Sequence, residues 1–144
     1  MRENYIKTLI LLSKKLKGLN FAFVGSVSLY LQGIKSINPR DIDLIVYEKD
    51  LIEISNILKE FKIKDYFEND MIFKTIFKVN NIEVEILNIN NNSLRGEHGL
   101  DRKINIDFEN LKLPCIDLRD DLKVYEELER SSKVNLIKNF LKNN

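Results

Sequence analysis

Hydrophobic positions along the chain change their period several times, and each change marks an element. Tyr5, Ile6, Leu9, Ile10, Leu12 and Leu16 recur at mostly helical spacing and predict a helix over residues 2–16, closed by Gly18. Residues 20–24 form a short apolar run that reads as a strand. Residues 26–32 read as a small helix, with Ser26 as N-cap and Gly33 at the C′ position. Pro39 marks an extended approach in the loop at 34–40. A strand rich in Ile, Leu and Val follows at 41–47, then a helix at 50–61. Between 71 and 89 two β-patterned runs flank Asn80-Asn81, a dipeptide that tolerates positive φ and suits a two-residue hairpin turn. A polar loop is expected over 90–100 and a second, shorter hairpin over 104–116. Asp117 is expected to cap a helix running to Glu129, and a basic helix closes the chain.

This alternation, with no repeat, no Ser/Gly linker and no change of composition, predicts one α+β domain over 1–144, a mixed β-sheet flanked by helices. A chain of 144 residues with 44% apolar content buries enough surface to fold without staples. The net charge of +1 gives no global pull toward nucleic acid or membrane. Cys115 is the single cysteine, which excludes an internal disulfide, and it reads as a small buried residue. His98 is the single histidine, so Ser-His nucleophile activation and multi-histidine metal cages are nearly excluded; it reads as a loop residue. The apolar stretch at 6–12 is short and runs into Lys14-Lys15 without a small-residue cleavage site. It reads as the buried face of a helix, and the expected location is cytoplasmic, with no membrane partner.

One segment does not fit an ordinary amphipathic pattern. In "VGSVSLYLQGIKSINPRDIDLIV" a Gly-Ser step is followed by two carboxylates, Asp41 and Asp43, at the mouth of a hydrophobic strand. Strand residues two apart share a face at about 7 Å. Two charges so placed repel by roughly 2 kcal/mol at an effective dielectric near 20. Solvation, a retained proton or a divalent cation relieves this, and hard oxygen ligands favour Mg2+ or Mn2+. If the second hairpin strand lies beside the strand at 41–47, an adjacency the pattern does not set, it offers a third acid, since Glu83 and Glu85 share one face while Ile82, Val84 and Ile86 take the other. Gly25 permits close backbone approach to a ligand, and Ser26 adds a hydroxyl next to free amides. A phosphate-binding turn beside a cation-binding pair suggests a metal-bound polyphosphate substrate. The bland alternatives are solvated strand ends for the acids and a plain N-cap for Ser26.

These residues resemble the nucleotidyltransferase superfamily with the DNA polymerase beta-like fold. The segment is similar to its single-domain members related to AbiEii-type toxins and the small antibiotic nucleotidyltransferases. "DLRDDLKVYEELERSSK" is similar to a basic helical signature of those proteins, with Lys123, Arg130 and Lys133 at its basic positions. Where that signature ends Lys-Asp, this chain has Lys133-Val134. The resemblance implies metal-dependent transfer of a nucleoside monophosphate from an NTP, ATP among them, to a hydroxyl of RNA, protein or a small molecule. Asp41, Asp43 and Glu85 would hold the cations, with Glu85 chosen over Glu83 and standing where the family more often has Asp. Gly25 and Ser26 would bind the β and γ phosphates, and Arg40 or Lys123 would help neutralise pyrophosphate. Tyr30 and Tyr47 read as core-edge aromatics able to stack on a base.

The competing expectation is a degenerate member that binds nucleotide or a partner chain without turnover, motivated by the glutamate at the third position. A DxD glycosyltransferase needs a longer Rossmann-like unit. A dehalogenase-type phosphatase needs Thr or Val two residues beyond the second Asp, where Ile45 stands.

Overall fold

The computed structural model describes residues 1–89, 93–96 and 98–144. Seven strands form one mixed sheet in the order β3-β4-β5-β2-β1-β7-β6. In chain order the elements are α1 (Glu3–Lys15), β1 (Phe21–Val24), α2 (Gly25–Leu31), β2 (Ile42–Tyr47), α3 (Leu51–Ile57), β3 (Lys62–Glu68), β4 (Met71–Val79), β5 (Ile82–Ile89), β6 (Ile104–Phe108), β7 (Leu111–Cys115), α4 (Leu118–Glu127) and α5 (Ser131–Asn143).

Strand alternation decides which side chains enter the main core. On β2, Ile42, Leu44 and Val46 are buried on the face covered by α1 and α3. They pack there with Tyr5, Leu9 and Leu12 of α1, Leu51 and Ile54 of α3, and Val84 and Ile86 of β5. Each such side chain contributes on the order of 2 kcal/mol by burial. The opposite face carries a smaller cluster in which Leu100 covers Ala22, Val24, Ile45 and Ile89. A third cluster joins α2 to α4 and α5 through Leu29, Ile34, Leu118, Tyr125 and Ile137. The Cys115 thiol is buried, and that burial pushes its pKa up to about 12.

The β4–β5 hairpin turns at Asn80-Asn81 with φ of 51° and 64°, and β6–β7 turns at Glu109-Asn110 with 49° and 64°. Both hairpins agree with the sequence pattern. A third two-residue turn, Asn69-Asp70, joins β4 to β3, an edge strand the pattern does not reveal. Six of the seven β3 residues are exposed, so no apolar alternation marks it.

Three boundaries differ from expectation. The helix expected over 50–61 ends at Ile57, and a 3-10 turn covers Lys59–Phe61. The helix capped by Asp117 ends at Glu127, because Glu129 takes a positive φ of 55°. Ser26 is no N-cap. Val24 holds that position without a side-chain bond, because the helix already starts at Gly25. Asp117 is a genuine cap, accepting from Arg119 N at 2.8 Å. The polar loop expected over 90–100 falls partly outside the described residues. Among the described residues no helix is long and apolar enough to cross a membrane.

Candidate active site

Three neighbouring strands build the site. β1 and β2 are antiparallel, with Val24 opposite Asp43. β2 and β5 are parallel, with Asp43 opposite Glu85. Asp43 and Glu85 therefore stand side by side on the face away from α1, while their neighbours Leu44, Val84 and Ile86 fill the core. Asp41 sits at the bend just before β2 and is exposed; its backbone carbonyl accepts from the buried Tyr5 hydroxyl at 2.7 Å. Glu83 is exposed at the start of β5. It shares a shallow cleft with Arg40, Asp41 and Arg2, which places Arg40 beside the acids.

Gly25 lies directly against Asp43. A Cβ built there would come within 2.6 Å of Asp43 Oδ2, and φ is +70°. Only glycine meets both conditions cheaply. Ser26 Oγ accepts from Lys133 Nζ at 2.7 Å, so a lysine from α5 reaches across 107 residues to the turn. Burial lowers the Lys133 pKa, with Arg130 adding to the effect, while Asp43 and Asp121 pull it back up. Lys123 instead projects into solvent from α4, away from the buried Asp121 and Tyr125. The Arg130 guanidinium lies 5.8 Å from the Tyr125 ring. Tyr30 is half-buried with Lys35 over its ring, and the Tyr47 hydroxyl accepts from Leu100 N at 2.9 Å.

Burial first, and then the charges of Glu85 and Asp41, together raise the Asp43 carboxyl to about 6, against Lys133. Negative charge is thus concentrated in a partly desolvated place, with the Lys133 ammonium acting against it at Asp43. Glu85 finds its own cation, Lys74 Nζ of β4, at 3.1 Å. Lys74 also lies 4.8 Å from the Tyr66 ring. Among the described residues no three His, Cys, Asp or Glu side chains are grouped to hold a metal ion.

Two features lay beyond the residues singled out from sequence. Lys74 could have been found, because the Asn80-Asn81 turn sets the hairpin register. That register puts Ile76 opposite Glu85, and Lys74 on the adjacent diagonal. The other is Asp121, fully buried on α4, with Arg95 Nη2 2.8 Å from its Oδ1. Burial raises the Asp121 carboxyl to about 6 in spite of Arg95.

No protein-family model matches the sequence, and neither does any curated protein. Solved structures do. A Thermotoga maritima protein assigned as a nucleotidyltransferase superposes with a TM-score of 0.72 at 22% identity, covering 100% of this chain and 96% of that one. The fold is that of the nucleotidyltransferases. ANT(2″)-Ia, solved with adenylyl-2″-tobramycin, matches this nucleotidyltransferase fold with a TM-score of 0.60 at 9% identity, over 95% of this chain and 87% of that one. An antigenic nucleotidyltransferase-like protein of Paracoccidioides brasiliensis gives 0.58 at 13%, covering 94% and 75%. At such identities what is shared is the nucleotidyltransferase fold itself.

Proposed function

We propose that the chain transfers a nucleoside monophosphate from an NTP to a hydroxyl acceptor. The observation that carries this reading is the pairing of Asp43 with Glu85 across β2 and β5, directly beside the Gly25 turn. The donor chemistry fits a divalent cation, since the acids are hard oxygen ligands, and burial followed by the charges of its neighbours already raises Asp43. Asp41, Asp43 and Glu85 would hold Mg2+ or Mn2+, Glu85 after parting from Lys74. Bound there, the cation would supply charge neutralisation at the transferring phosphoryl group.

The chain's own groups do the rest. The backbone at Gly25 leaves room for a phosphate to approach. Lys133 and the Ser26 hydroxyl form a preset donor pair for the leaving pyrophosphate, with Arg40 close by on the exposed side. Glu85 would also help position the acceptor hydroxyl.

The test is transfer of label from each NTP to host RNA and protein with Mg2+. The expected result is labelled acceptor with the parent protein and none with Asp41→Ala/Asp43→Ala. Labelling that survives in that variant would overturn the reading.

A second reading, nucleotide or partner binding without turnover, is favoured by the engagement of Glu85 with Lys74. Calorimetric binding of Mg2+ and ATP with no transfer to any acceptor would select it.

A further inference from the structure

β1 runs from Phe21 to Val24, and the carboxylates lie at its Val24 end. At the Phe21 end, the last turn of α1 and the β6–β7 hairpin border a groove of about 540 Å3. That size is within the range of small-molecule sites. Its walls are largely apolar, from Leu19, Leu111 and Pro114, and Lys14, Lys17, Lys103 and Lys112 stand around it with no acidic residue among the lining.

The charges there do not balance. Lys112 is paired with Asp107. Lys14 and Lys17 make no ion pair among the described residues, and both are exposed toward the groove. Lys103 is half-buried, its Nζ donating to Asn20 Oδ1 at 2.6 Å and to the Phe21 carbonyl at 3.1 Å. Both partners are neutral, and among the described residues they take two of the three N–H groups of the ammonium. Burial alone lowers its pKa, with no carboxylate to offset the cost. A half-buried cation in the wall of a largely apolar groove, with two more cations on the same lining, is a site that lacks its counter-charge.

We propose that this groove binds a phosphate monoester carried on a flat apolar body, a ligand of mononucleotide size. A phosphate monoester brings a charge of about −1.5 to −2 at neutral pH, which offsets half or more of the three positive charges of Lys103, Lys14 and Lys17. The body would lie on Leu111 and Pro114, within reach of the Asn105 and Asn110 amides that also line the groove. Because it opens at the other end of β1, this site is separate from the carboxylates and does not depend on the transfer reading.

The test is an NMR titration of the 15N-labelled chain with AMP, phenyl phosphate and inorganic phosphate in EDTA. The backbone amides of Lys103, Asn105 and Asn110 are expected to shift saturably, with AMP and phenyl phosphate binding several-fold tighter than phosphate. Lys103→Met is expected to weaken binding by roughly tenfold or more, as loss of a charge-assisted hydrogen bond does. Should that variant fail to fold, Lys14→Gln/Lys17→Gln alters only exposed side chains and is expected to weaken binding likewise. The proposal is overturned if the groove amides do not shift, if only Gly25 and Ser26 respond, or if neither set of substitutions changes the affinity. Equal affinity for inorganic phosphate and AMP would overturn the assignment of the apolar body.

Discussion

Asp43 is where stability and chemistry pull in opposite directions. Its carboxyl is raised to about 6 from an ordinary value of 3.8, first by burial and then by Glu85 and Asp41. A raised folded-state pKa means that the folded chain holds the proton more tightly than the unfolded chain. The resulting stabilisation is complete below the unfolded value and is lost as pH climbs through about 6. Full burial would make this about 3 kcal/mol, and partial exposure reduces it to roughly 2. Without divalent cations, Asp43→Asn is therefore expected to be more stable than the parent at pH 7.5, and the advantage should vanish near pH 4. Urea melts at the two pH values measure it; Asp121 shifts in the same direction, so the difference between the chains is the informative quantity. The same proton competes with a cation, so Mn2+ affinity should rise as pH passes about 6 and then level off. Gly25→Ala tests the neighbouring backbone. The new methyl must displace the Asp43 carboxylate and occupy a left-handed φ, costing about 1–2 kcal/mol. Calorimetry should show Mg2+·NTP binding lost by more than that destabilisation accounts for.

Among the elements, three hairpins use two-residue turns with positive φ at both positions, and their residues are not equally suited to it. Asn80-Asn81 and Asn69-Asp70 have short polar side chains that tolerate the left-handed region; Glu109 has not. Glu109→Asn is expected to raise the melting midpoint, by about 0.5–1 kcal/mol of stability, and Asn81→Ala to lower it. The Asn80-Asn81 turn and its flanking alternation were legible in the chain because turn and period agree. Asp43 and Glu85 were visible as strand acids, but nothing in the pattern sets β5 beside β2, and the family resemblance alone chose Glu85 over Glu83. β3 was not legible: an edge strand wet on both faces has no period to read. Nor was the lysine at the turn. Lys123 and Lys133 both stand on helices, and only the packing of α5 against α2 through Ile137 and Leu29 decides that Lys133 reaches Ser26. Lys74 belongs to this scale too. As the diagonal cross-strand partner of Glu85 it competes for that carboxylate, so Lys74→Met should bind Mn2+ several-fold more tightly by calorimetry.

For the molecule as a whole, the question is what ties α4 and α5 to a sheet whose main core lies on the other side. Apolar contacts join those helices to α2, whereas the link to the segment following β5 is polar, through Asp121 and Arg95. Asp121 is fully enclosed, and Arg95 is nearly so, with 13% of its side chain exposed. Removing one member leaves an uncompensated buried charge, which costs about 3–5 kcal/mol, whereas removing both at once costs far less. Arg95→Met is thus expected to be strongly destabilising near neutral pH. Its penalty should shrink as pH falls toward 6, because without Arg95 the buried Asp121 takes up its proton at a higher pH than in the parent. Arg95→Met/Asp121→Leu is expected to recover most of the lost stability at every pH. A double-mutant cycle in urea, run at about pH 5 and about pH 7.5, measures both effects. Additive losses that do not change with pH would mean that the pair does not couple the loop to α4. In that case the apolar packing on α2 would be what holds α5, and with it Lys133, against the Gly25 turn.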